Sequence, residues 1–417
     1  MGVHVSKECS GGDKLGVCWV PTSQDPMTAA RSHAGLGHYA DVIDGRENYD
    51  LLVAHKVLRI IPNKDGPPTV EFRSRNDKDD EVKTVTPKLE VILSAGAIHT
   101  PQILQRSGIG DKKFLDKVGI EVEVDLPGVG YNFQDHCGPG FSFSLTTSFS
   151  PNQASLNSNA TFREEALKQY KERPAQGPYT LAMGNSAIYI PLRNVTEDYT
   201  DIIDAINAQV ADKTALNYLP EGVPEDVKAG YLAQLSLLAK SHANPEQAIL
   251  ESPFMSSAPG GGFLLKPLSR GTVMLDPDNL YGEPIIDYRT ASNPVDLHVM
   301  ASFVHFFRRY YATPTMKAMG ATERSPGADV TKIADIIESI RGGITASFMH
   351  PCCTAAMMPR EKGGVVGPDL KVYGVEGLRV VDLSVVPVIP GTHTSATTYA
   401  IGEKAADMIV RKWAGKQ

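Results

Sequence analysis

The stretch that most constrains the fold of this chain is the run LEVILSAG, residues 89–96, together with the residues that follow it. Its consecutive apolar residues are typical of a parallel strand that is buried on both faces. Thr100 is a competent helix N-cap, Pro101 suits a first helical turn, and Gly108 and Gly110 can end the helix. Strand, tight turn and helix in this order predict an α/β sheet that binds a ligand at the carboxyl ends of its strands.

A second segment of the same kind lies near the C-terminus. GLRVVD, residues 377–382, predicts a buried strand that ends in an acid, and a proline-rich turn from Pro387 to Pro390 follows it. Residues 395–413 then carry apolar side chains at roughly helical spacing, which predicts a long amphipathic helix. Three residues are competent N-caps for this helix: Thr392, Thr394 and Ser395.

The remaining patterns predict a mixture of sheet and helix. Residues 260–290 contain short alternating runs typical of an antiparallel sheet, and Thr69–Arg75 with Val82–Pro87 predict a hairpin whose solvated tip is residues 76–81. Residues 49–62 predict a strand pair or one long bent strand. Four stretches have helical patterns: 162–173, 227–240, 293–311 and 329–341. The predicted fold class is therefore α/β plus α+β, in two or three structural units.

Charge and composition argue against several classes of function. The net charge of −7 disfavours a nucleic-acid partner, and no apolar run is long enough to span a bilayer. The five cysteines are an odd and sparse set that argues against a disulfide framework, and none has the spacing of a zinc site. We therefore predict no metal site. No signal peptide is visible, but two Asn-X-Thr tripeptides leave the compartment open.

Two histidines and one acid are the candidates for chemistry, and each has a structural alternative. His393 comes directly before the last helix, where the positive end of the helix dipole favours a neutral imidazole; it is either a base or a helix cap. His350 lies among apolar and small residues, either as a base or as a core histidine. Asp382 ends a strand, either as a functional acid or as a turn cap.

The order of these features resembles a known family. A strand that ends in Asp382, a proline-rich turn, His393 and a long helix together resemble the C-terminal signature of the glucose-methanol-choline (GMC) flavin oxidoreductases. Three further segments agree: GAIHTPQILQRSGIG at 96–110, GVGYNFQDH at 128–136, and LKPLSRG through PIID between 265 and 287. The resemblance covers most of the chain and weakens between about 140 and 250. The sequences of these segments are most similar to those of fungal members that resemble aryl-alcohol oxidases and secondary-metabolite dehydrogenases.

The resemblance implies an incomplete FAD-binding, Rossmann-like domain and a substrate domain with an antiparallel sheet. Residues 1–136 would be the remainder of the FAD-binding domain, without its first βαβ unit. Residues 137–345 would form the substrate-binding domain. Residues 346–417 would return to the FAD-binding domain and carry the catalytic histidines.

The same resemblance implies a flavin-dependent reaction on a small-molecule alcohol. FAD would be bound non-covalently or through a histidine upstream of this sequence. His350 matches the family's catalytic base and His393 its partner, so the reaction would be oxidation of a primary or secondary alcohol, aromatic or polyketide-like, by hydride transfer to the flavin. Six residues match cofactor-contacting positions: Val57 and Ala95 on the adenine side, Asn132 along the cofactor, Asp382 near the ribityl and pyrophosphate, and Thr394 and Ser395 near the pyrimidine end of the flavin.

The sequence also departs from the family pattern. No GxGxxG motif follows a strand, although the family needs one for the pyrophosphate. We therefore read Met1 as an internal position of a longer ancestor, and expect the chain alone to bind FAD weakly or not at all unless a complementing N-terminal fragment is added. Cys353 stands where the family commonly has glycine, which adds bulk beside His350. Two alternatives stay open: a non-redox lyase or cyclase on the same fold, and an inactive remnant.

Overall fold

The computed structural model describes residues 3–6, 9, 11–12, 14–75, 81–147, 150–152, 154–181, 186–254 and 261–414. The helices are α1 Gly96–Arg106, α2 Lys112–Lys117, α3 Ser155–Ser158, α4 Ala160–Tyr170, α5 Leu192–Val195, α6 Tyr199–Ala211, α7 Glu225–Ala243, α8 Pro294–Tyr311, α9 Pro314–Ala318, α10 Ile333–Arg341 and α11 Thr394–Trp413. The first strands are β1 Gly16–Trp19, β2 His55–Ile61, β3 Thr69–Ser74, β4 Lys83–Val85, β5 Val91–Leu93, β6 Ile109–Gly110, β7 Val124–Asp125 and β8 Ser142–Ser144. The others are β9 Ser186–Ile190, β10 Leu250–Pro253, β11 Phe263–Leu264, β12 Thr272–Met274, β13 Ile285–Asp287, β14 Thr322–Ser325 and β15 Leu378–Val380.

Among the described residues, buried apolar side chains form four clusters, and the two largest are the cores that organise these elements. The larger core is built on α8, which contacts helices α5, α6 and α10 and whose side chains Phe303, Phe306 and Phe307 are buried. The smaller core packs β5 and β15 against α1, with Leu104, Leu378 and Val380 inaccessible to solvent. Each core has its own sheet, so the predicted combination of an α/β unit with an antiparallel unit is confirmed.

The antiparallel sheet has four strands in the order β1-β9-β10-β11. Its inner strand β10 places Glu251 opposite Tyr189 of β9, and both side chains are buried. Strand β1 joins this sheet from residues 16–19, on the N-terminal side of the domain boundary that we expected at residue 136. The boundary at residue 136 remains a prediction, and β1 pairs with β9, which lies on the other side of it.

The parallel pairing of β5 and β15 places the carboxyl ends of two strands that are far apart in the sequence at the same edge of the sheet. Val91, Ile92 and Leu93 pair in register with Leu378, Arg379 and Val380. Leu93 is buried, but Ile92 is 39% exposed, so the described residues cover one face of β5 more fully than the other. Since both strands run in the same direction, α1 and the turn after β15 begin at the same edge.

Helix α1 begins earlier than we expected. Its first residue is Gly96 and its N-cap is Ala95, so Pro101 lies inside the helix and Thr100 is not its cap. Proline cannot donate the backbone hydrogen bond that Ala97 O would normally accept. The hydroxyl of Thr354 replaces it and donates to Ala97 O over 2.6 Å. The helix therefore tolerates Pro101 because a side chain from the opposite end of the chain supplies the missing donor. Its predicted end is confirmed, with Gly108 at φ +72° directly after the C-cap.

Other predictions changed less. The strand expected over residues 49–62 is shorter, because Leu51, Leu52 and Val53 are more than half exposed and pair with none of the described strands. Strands β3 and β4 form the predicted hairpin, but its tip at 76–80 lies outside the described residues. The sparse cysteines include one disulfide, Cys9–Cys18, which we did not predict. Among the described residues, no helix is long and apolar enough to cross a bilayer, and no group of three or more potential ligands is arranged to hold a metal.

Candidate active site

The loop that carries His350 is held by one buried carboxylate. Asp135 accepts hydrogen bonds from the backbone N–H of His350 at 3.1 Å and of Phe348 at 3.3 Å, and from the Ser347 hydroxyl at 2.6 Å. Met349, between these donors, takes a left-handed conformation with φ +62° and is 85% exposed. The backbone from Phe348 to the N–H of His350 is therefore fixed, whereas the Met349 side chain is exposed to solvent.

The ring of His350 contacts two other histidines. Its Nδ1 lies 2.9 Å from Nδ1 of His136, which is fully buried and whose Nε2 lies 3.0 Å from the carbonyl oxygen of Pro390. On the other side, the ring centroids of His350 and His393 are 5.3 Å apart. The structure thus brings the two predicted catalytic residues together, 43 positions apart in the chain.

His393 is oriented by an acid that we did not predict. Its Nε2 lies 2.6 Å from Oε1 of Glu251, which is buried, whereas the His393 side chain is 41% exposed. Glu251 also interacts with the hydroxyl of Tyr189, and Lys14 Nζ lies 4.2 Å from the centre of the Tyr189 ring. Because Glu251 uses one ring nitrogen of His393, the other nitrogen, Nδ1, is left without a hydrogen-bond partner among the described residues.

The surroundings of His350 favour its neutral form. Burial, followed by the charge of His393, lowers the pKa of His350 from 6.5 to about 4. Burial also holds the pKa of His136 well below its usual value, and the neighbouring His350 and Lys266 act in the same direction. At neutral pH both imidazoles are therefore uncharged, so His350 can accept a proton.

Asp382 ties the two parallel strands to the start of α1. Its Oδ2 accepts from Gly96 N at 2.9 Å and from the Thr100 hydroxyl at 2.6 Å, and its Oδ1 accepts from Ser384 N at 2.8 Å. The hydroxyl of Thr100 is thus used for this contact and not as a cap. Asp382 holds the turn after β15 against the turn after β5, which is the edge where a cofactor is expected.

Two other predicted cofactor residues are engaged with the protein. The Asn132 side chain donates to the carbonyl oxygens of Cys353 and Pro387 and accepts from Arg270 Nε at 3.0 Å. A contact of Asn132 with a cofactor would therefore come from its backbone, which is left-handed at φ +65°. Val57 lies on β2, and its carbonyl oxygen accepts from Arg106 at 3.4 Å.

The helix starts at this edge have free donors. The side chains of the N-cap residues Ala95 and His393 make no capping hydrogen bond. At α1 the N–H of Gly96 donates to Asp382, and the other N–H groups of the two first turns are available. Ser395 is exposed beside the buried Thr394, and a side chain built at Gly96 would meet only open space. Uncapped helix starts bind negative charge and carbonyl oxygens. These donors fit the pyrimidine end of a flavin at α11 and a polar ligand group at α1.

Sequence reasoning missed three residues of this site: His136, Glu251 and Asp135. Asp135 and His136 lie in the segment 128–136 that matches the family. The match did not show that these two residues contact His350. Glu251 directly follows the stretch, from about 140 to 250, where the resemblance to the family weakens. Its one sign in the sequence is an acid that directly follows three apolar residues, 248–250.

Comparisons with known proteins agree with this geometry. Residues 1–138 match the N-terminal family model described as GMC oxidoreductase, and residues 267–402 match the C-terminal one. "Dehydrogenase xptC" of Emericella nidulans is 34% identical over 412 residues, which are 98% of this chain and 65% of that protein. The chain therefore spans about two thirds of the length of this curated relative.

Two solved structures are similar over nearly the whole chain. A fungal aryl-alcohol oxidase superposes with a TM-score of 0.94 at 52% sequence identity, covering 99% of this chain and 69% of the other. An FAD-dependent oxidoreductase from Chaetomium thermophilum superposes with a TM-score of 0.93 at 36% identity, covering 99% of this chain and 70% of the other. The fold of this chain is thus shared with a fungal aryl-alcohol oxidase and with an FAD-dependent oxidoreductase.

Proposed function

The chain belongs to the GMC oxidoreductase family, and from this premise we propose that its site at His350 and His393 oxidises an alcohol with FAD as cofactor. The members of this family are FAD-dependent flavoproteins. The proposed substrate is a primary or secondary alcohol, aromatic or polyketide-like. The observation that carries the proposal is the 5.3 Å separation of the His350 and His393 rings, with His393 at the start of α11.

His350 takes the role of general base. Its lowered pKa keeps it unprotonated at neutral pH, so it can accept the proton of a substrate hydroxyl. Asp135 holds its backbone and His136 its ring, which limits the orientations that the base must search before reaction. His350 would hold the proton on its ring while the alcohol carbon is oxidised.

His393 orients the oxygen of the alcohol. Glu251 accepts the Nε2 proton of His393 over 2.6 Å, and in the imidazolium form that pairs with this carboxylate the Nδ1–H is left to donate to the substrate oxygen. With the alcohol between the two rings, one histidine would contact the hydroxyl proton and the other the oxygen. Binding the hydroxyl from two sides reduces the entropy that the reaction step must overcome.

FAD, when bound, supplies the hydride acceptor for this reaction. The residues that would hold it are those at the edge of the parallel pair. Thr394 and Ser395 would offer N–H groups of α11 to the pyrimidine end of the flavin, and Ala95 and Val57 would lie on the adenine side. Asp382 keeps the two strand ends together, and Asn132 would contribute backbone.

Apolar side chains next to the base support an aromatic or other largely apolar substrate. Phe263 and Phe348 lie with their ring centroids 3.5 Å apart, and Phe348 belongs to the loop of His350. Met349 adds an exposed apolar side chain on the same loop. Flat apolar surfaces of this kind bind aromatic rings better than they bind sugars. The 52% identity to a fungal aryl-alcohol oxidase supports the same substrate class.

The test is anaerobic flavin reduction by a panel of benzylic and polyketide-like alcohols. The protein is first saturated with FAD, alone and with a complementing fragment that carries the glycine-rich first strand, turn and helix of a GMC enzyme. We expect reduction of the flavin by at least one benzylic alcohol, and a fall of about 10²–10⁴-fold in its rate on His350→Ala. If no alcohol of the panel reduces the flavin of the loaded protein, the proposed reaction is wrong. If His350→Ala keeps full activity, His350 is not the base.

A matched control is available on α8. His305 is a half-buried histidine outside the site, and His305→Ala removes the same ring without touching the substrate edge. Its flavin should be reduced at the wild-type rate. Product formation without any change in the flavin spectrum would instead favour a lyase or cyclase reaction.

A further inference from the structure

His136 sets the proton position on the neighbouring base. We propose that His136 is a positioning residue that holds the proton of neutral His350 on Nδ1 and thereby leaves the lone pair of Nε2 free for the substrate hydroxyl. The tautomer assignment rests on the hydrogen-bond geometry and on the burial of His136, whereas its consequence for the reaction rests on the proposed function. Three groups form this relay in sequence: the carbonyl oxygen of Pro390, the ring of His136 and the ring of His350.

The first step is the contact between His136 and Pro390. A carbonyl oxygen has no proton to give, so the 3.0 Å contact requires that His136 Nε2 carries the hydrogen and donates it. His136 is fully buried and faces Lys266 and His350, and these surroundings keep its pKa well below the usual range. A neutral imidazole with its proton on Nε2 has a lone pair on Nδ1.

The second step is the contact between the two rings. Nδ1 of His136 and Nδ1 of His350 are 2.9 Å apart, a distance that requires one hydrogen between two nitrogens. His136 has none at that atom, so His350 must donate. The edge-on arrangement of the rings, with an angle of 87° between their planes, is compatible with such a bond. Neutral His350 then has its lone pair on Nε2, to which no described residue hydrogen-bonds.

The relay matters because free histidine prefers the opposite tautomer, with its proton on Nε2. In that form His350 would present a donor to the substrate hydroxyl and could not accept its proton. A hydrogen bond to one ring nitrogen decides which nitrogen of a histidine is protonated. His136 is the described residue that makes this bond to His350.

The start of the relay is held firmly by its neighbours. Lys266 Nζ donates to Ile389 O over 2.6 Å, and the backbone N–H of Ile389 donates to Gln134 at 3.1 Å. The carbonyl of Pro390 is therefore fixed between these bonds and the start of α11. Since His393 comes three residues later, the segment that carries the partner histidine also determines the tautomer of the base.

The experiment reads the tautomer directly and needs no cofactor. The full chain is labelled with ¹⁵N-histidine, and long-range ¹H–¹⁵N spectra at neutral pH distinguish protonated from unprotonated ring nitrogens. His242 is an internal reference, because it is buried and its Nδ1 donates to Leu238 O over 2.8 Å. Two variants of similar shape are compared: His136→Gln keeps an acceptor for His350 and a donor for Pro390, whereas His136→Met has neither.

We expect His350 in the wild-type chain to be protonated on Nδ1 and unprotonated on Nε2. His136→Gln should keep this pattern, and His136→Met should move the proton of His350 to Nε2 while the His242 signals stay unchanged. A wild-type His350 that is protonated on Nε2 overturns the proposal. The same holds if His136→Met, with unchanged His242 signals, keeps the wild-type His350 pattern.

Flavin reduction by the FAD-loaded variants separates this inference from the function on which it rests. We expect His136→Met to reduce the rate of flavin reduction about 10²-fold with little change in KM, and His136→Gln to recover most of that loss. A moved proton in His136→Met without loss of rate supports the tautomer assignment but overturns His350 as the base. A wild-type tautomer opposite to the expected one, with an inactive His350→Ala, overturns the relay and supports the proposed function.

Discussion

Nε2 of His393 lies 2.6 Å from Oε1 of Glu251, and the two residues are 142 positions apart in the chain. Glu251 reaches this position from an inner strand of the antiparallel sheet, whereas His393 precedes the helix that follows the parallel pair. The contact therefore joins the two structural units directly at the site. A buried acid that contacts an exposed histidine fixes the ring more strictly than solvent or a surface acid would.

We predict that Glu251→Gln lowers the rate of flavin reduction about 10-fold in the FAD-loaded protein. Glutamine keeps an oxygen that can accept from His393 but removes the negative charge, and hydrogen bonds to charged groups are stronger by about 1.5 kcal/mol. Stopped-flow reduction over a range of alcohol concentrations measures the effect. The exposed acid Glu246 provides the control, because Glu246→Gln changes the same charge away from His393. Equal rates in the two variants would exclude a role for Glu251.

The hydroxyl of Thr354 is predicted to stabilise α1 through Ala97. Thr354→Val keeps the shape of the side chain but leaves Ala97 O without the donor that replaces the missing N–H of Pro101. The loss of a buried hydrogen-bond donor should lower the free energy of unfolding by about 1–3 kcal/mol, measured in urea. Thr354→Ser retains the hydroxyl and should lose less. Valine and serine variants of equal stability would contradict this account of the proline.

Part of this structure could be predicted from the sequence because it depends on local patterns. The strand ends at Leu93 and Val380, the glycine end of α1 and the long helix α11 follow from apolar runs and turn residues. The start of α1 could not be predicted in this way. Thr100 looks like a cap, but its hydroxyl contacts Asp382, which is 282 positions away, and Pro101 is tolerated only because of Thr354.

The residues of the candidate site could likewise be predicted only in part. His350 and His393 could be identified from short motifs, since each lies in a recognisable local sequence. The residues that orient them were not found, because His136 and Glu251 act over 214 and 142 positions. A single sequence has no pattern that shows which residues so far apart in the chain contact each other. Their contacts depend on how the two units pack, which only the folded chain reveals.

Acid should destabilise the fold through its buried neutral histidines. Burial lowers the pKa of both His242 and His350 to about 4, so between that value and 6.5 the unfolded chain binds protons that the folded chain excludes. Their contribution to stability is therefore complete above pH 6.5 and is lost as the pH falls toward 4. For the fully buried His242 the loss between pH 6.5 and 5 is about 2 kcal/mol.

Thermal unfolding at pH 7, 6 and 5 measures this effect. His242→Leu removes one excluded proton, so its midpoint should fall less steeply on acidification than that of the wild-type chain. The exposed histidine His33 is the control, and His33→Gln should keep the wild-type pH dependence. A midpoint that rises on acidification, or a His242→Leu slope identical to that of the wild type, would refute the assignment.

The last prediction concerns the cofactor, and it follows from how the residues at the predicted edge are used. Asp382 already accepts three hydrogen bonds from the protein, and the Asn132 side chain is equally engaged. Among the described residues the parallel sheet at this edge has two strands, with Ile92 partly exposed, and no GxGxxG motif in the sequence follows a strand. The donors of α1 and α11 therefore have to hold FAD without a glycine-rich turn for its pyrophosphate.

We accordingly predict a dissociation constant for FAD weaker than about 10 µM for this chain alone, or roughly −7 kcal/mol of binding free energy. Titration of flavin fluorescence measures it. A complementing fragment with the glycine-rich strand, turn and helix should tighten binding at least tenfold, and FMN, which lacks the adenine half, should gain less from it. Purification of this chain by itself with one equivalent of bound flavin would disprove the prediction. That result would mean that the N–H groups left available at the starts of α1 and α11 bind the cofactor by themselves.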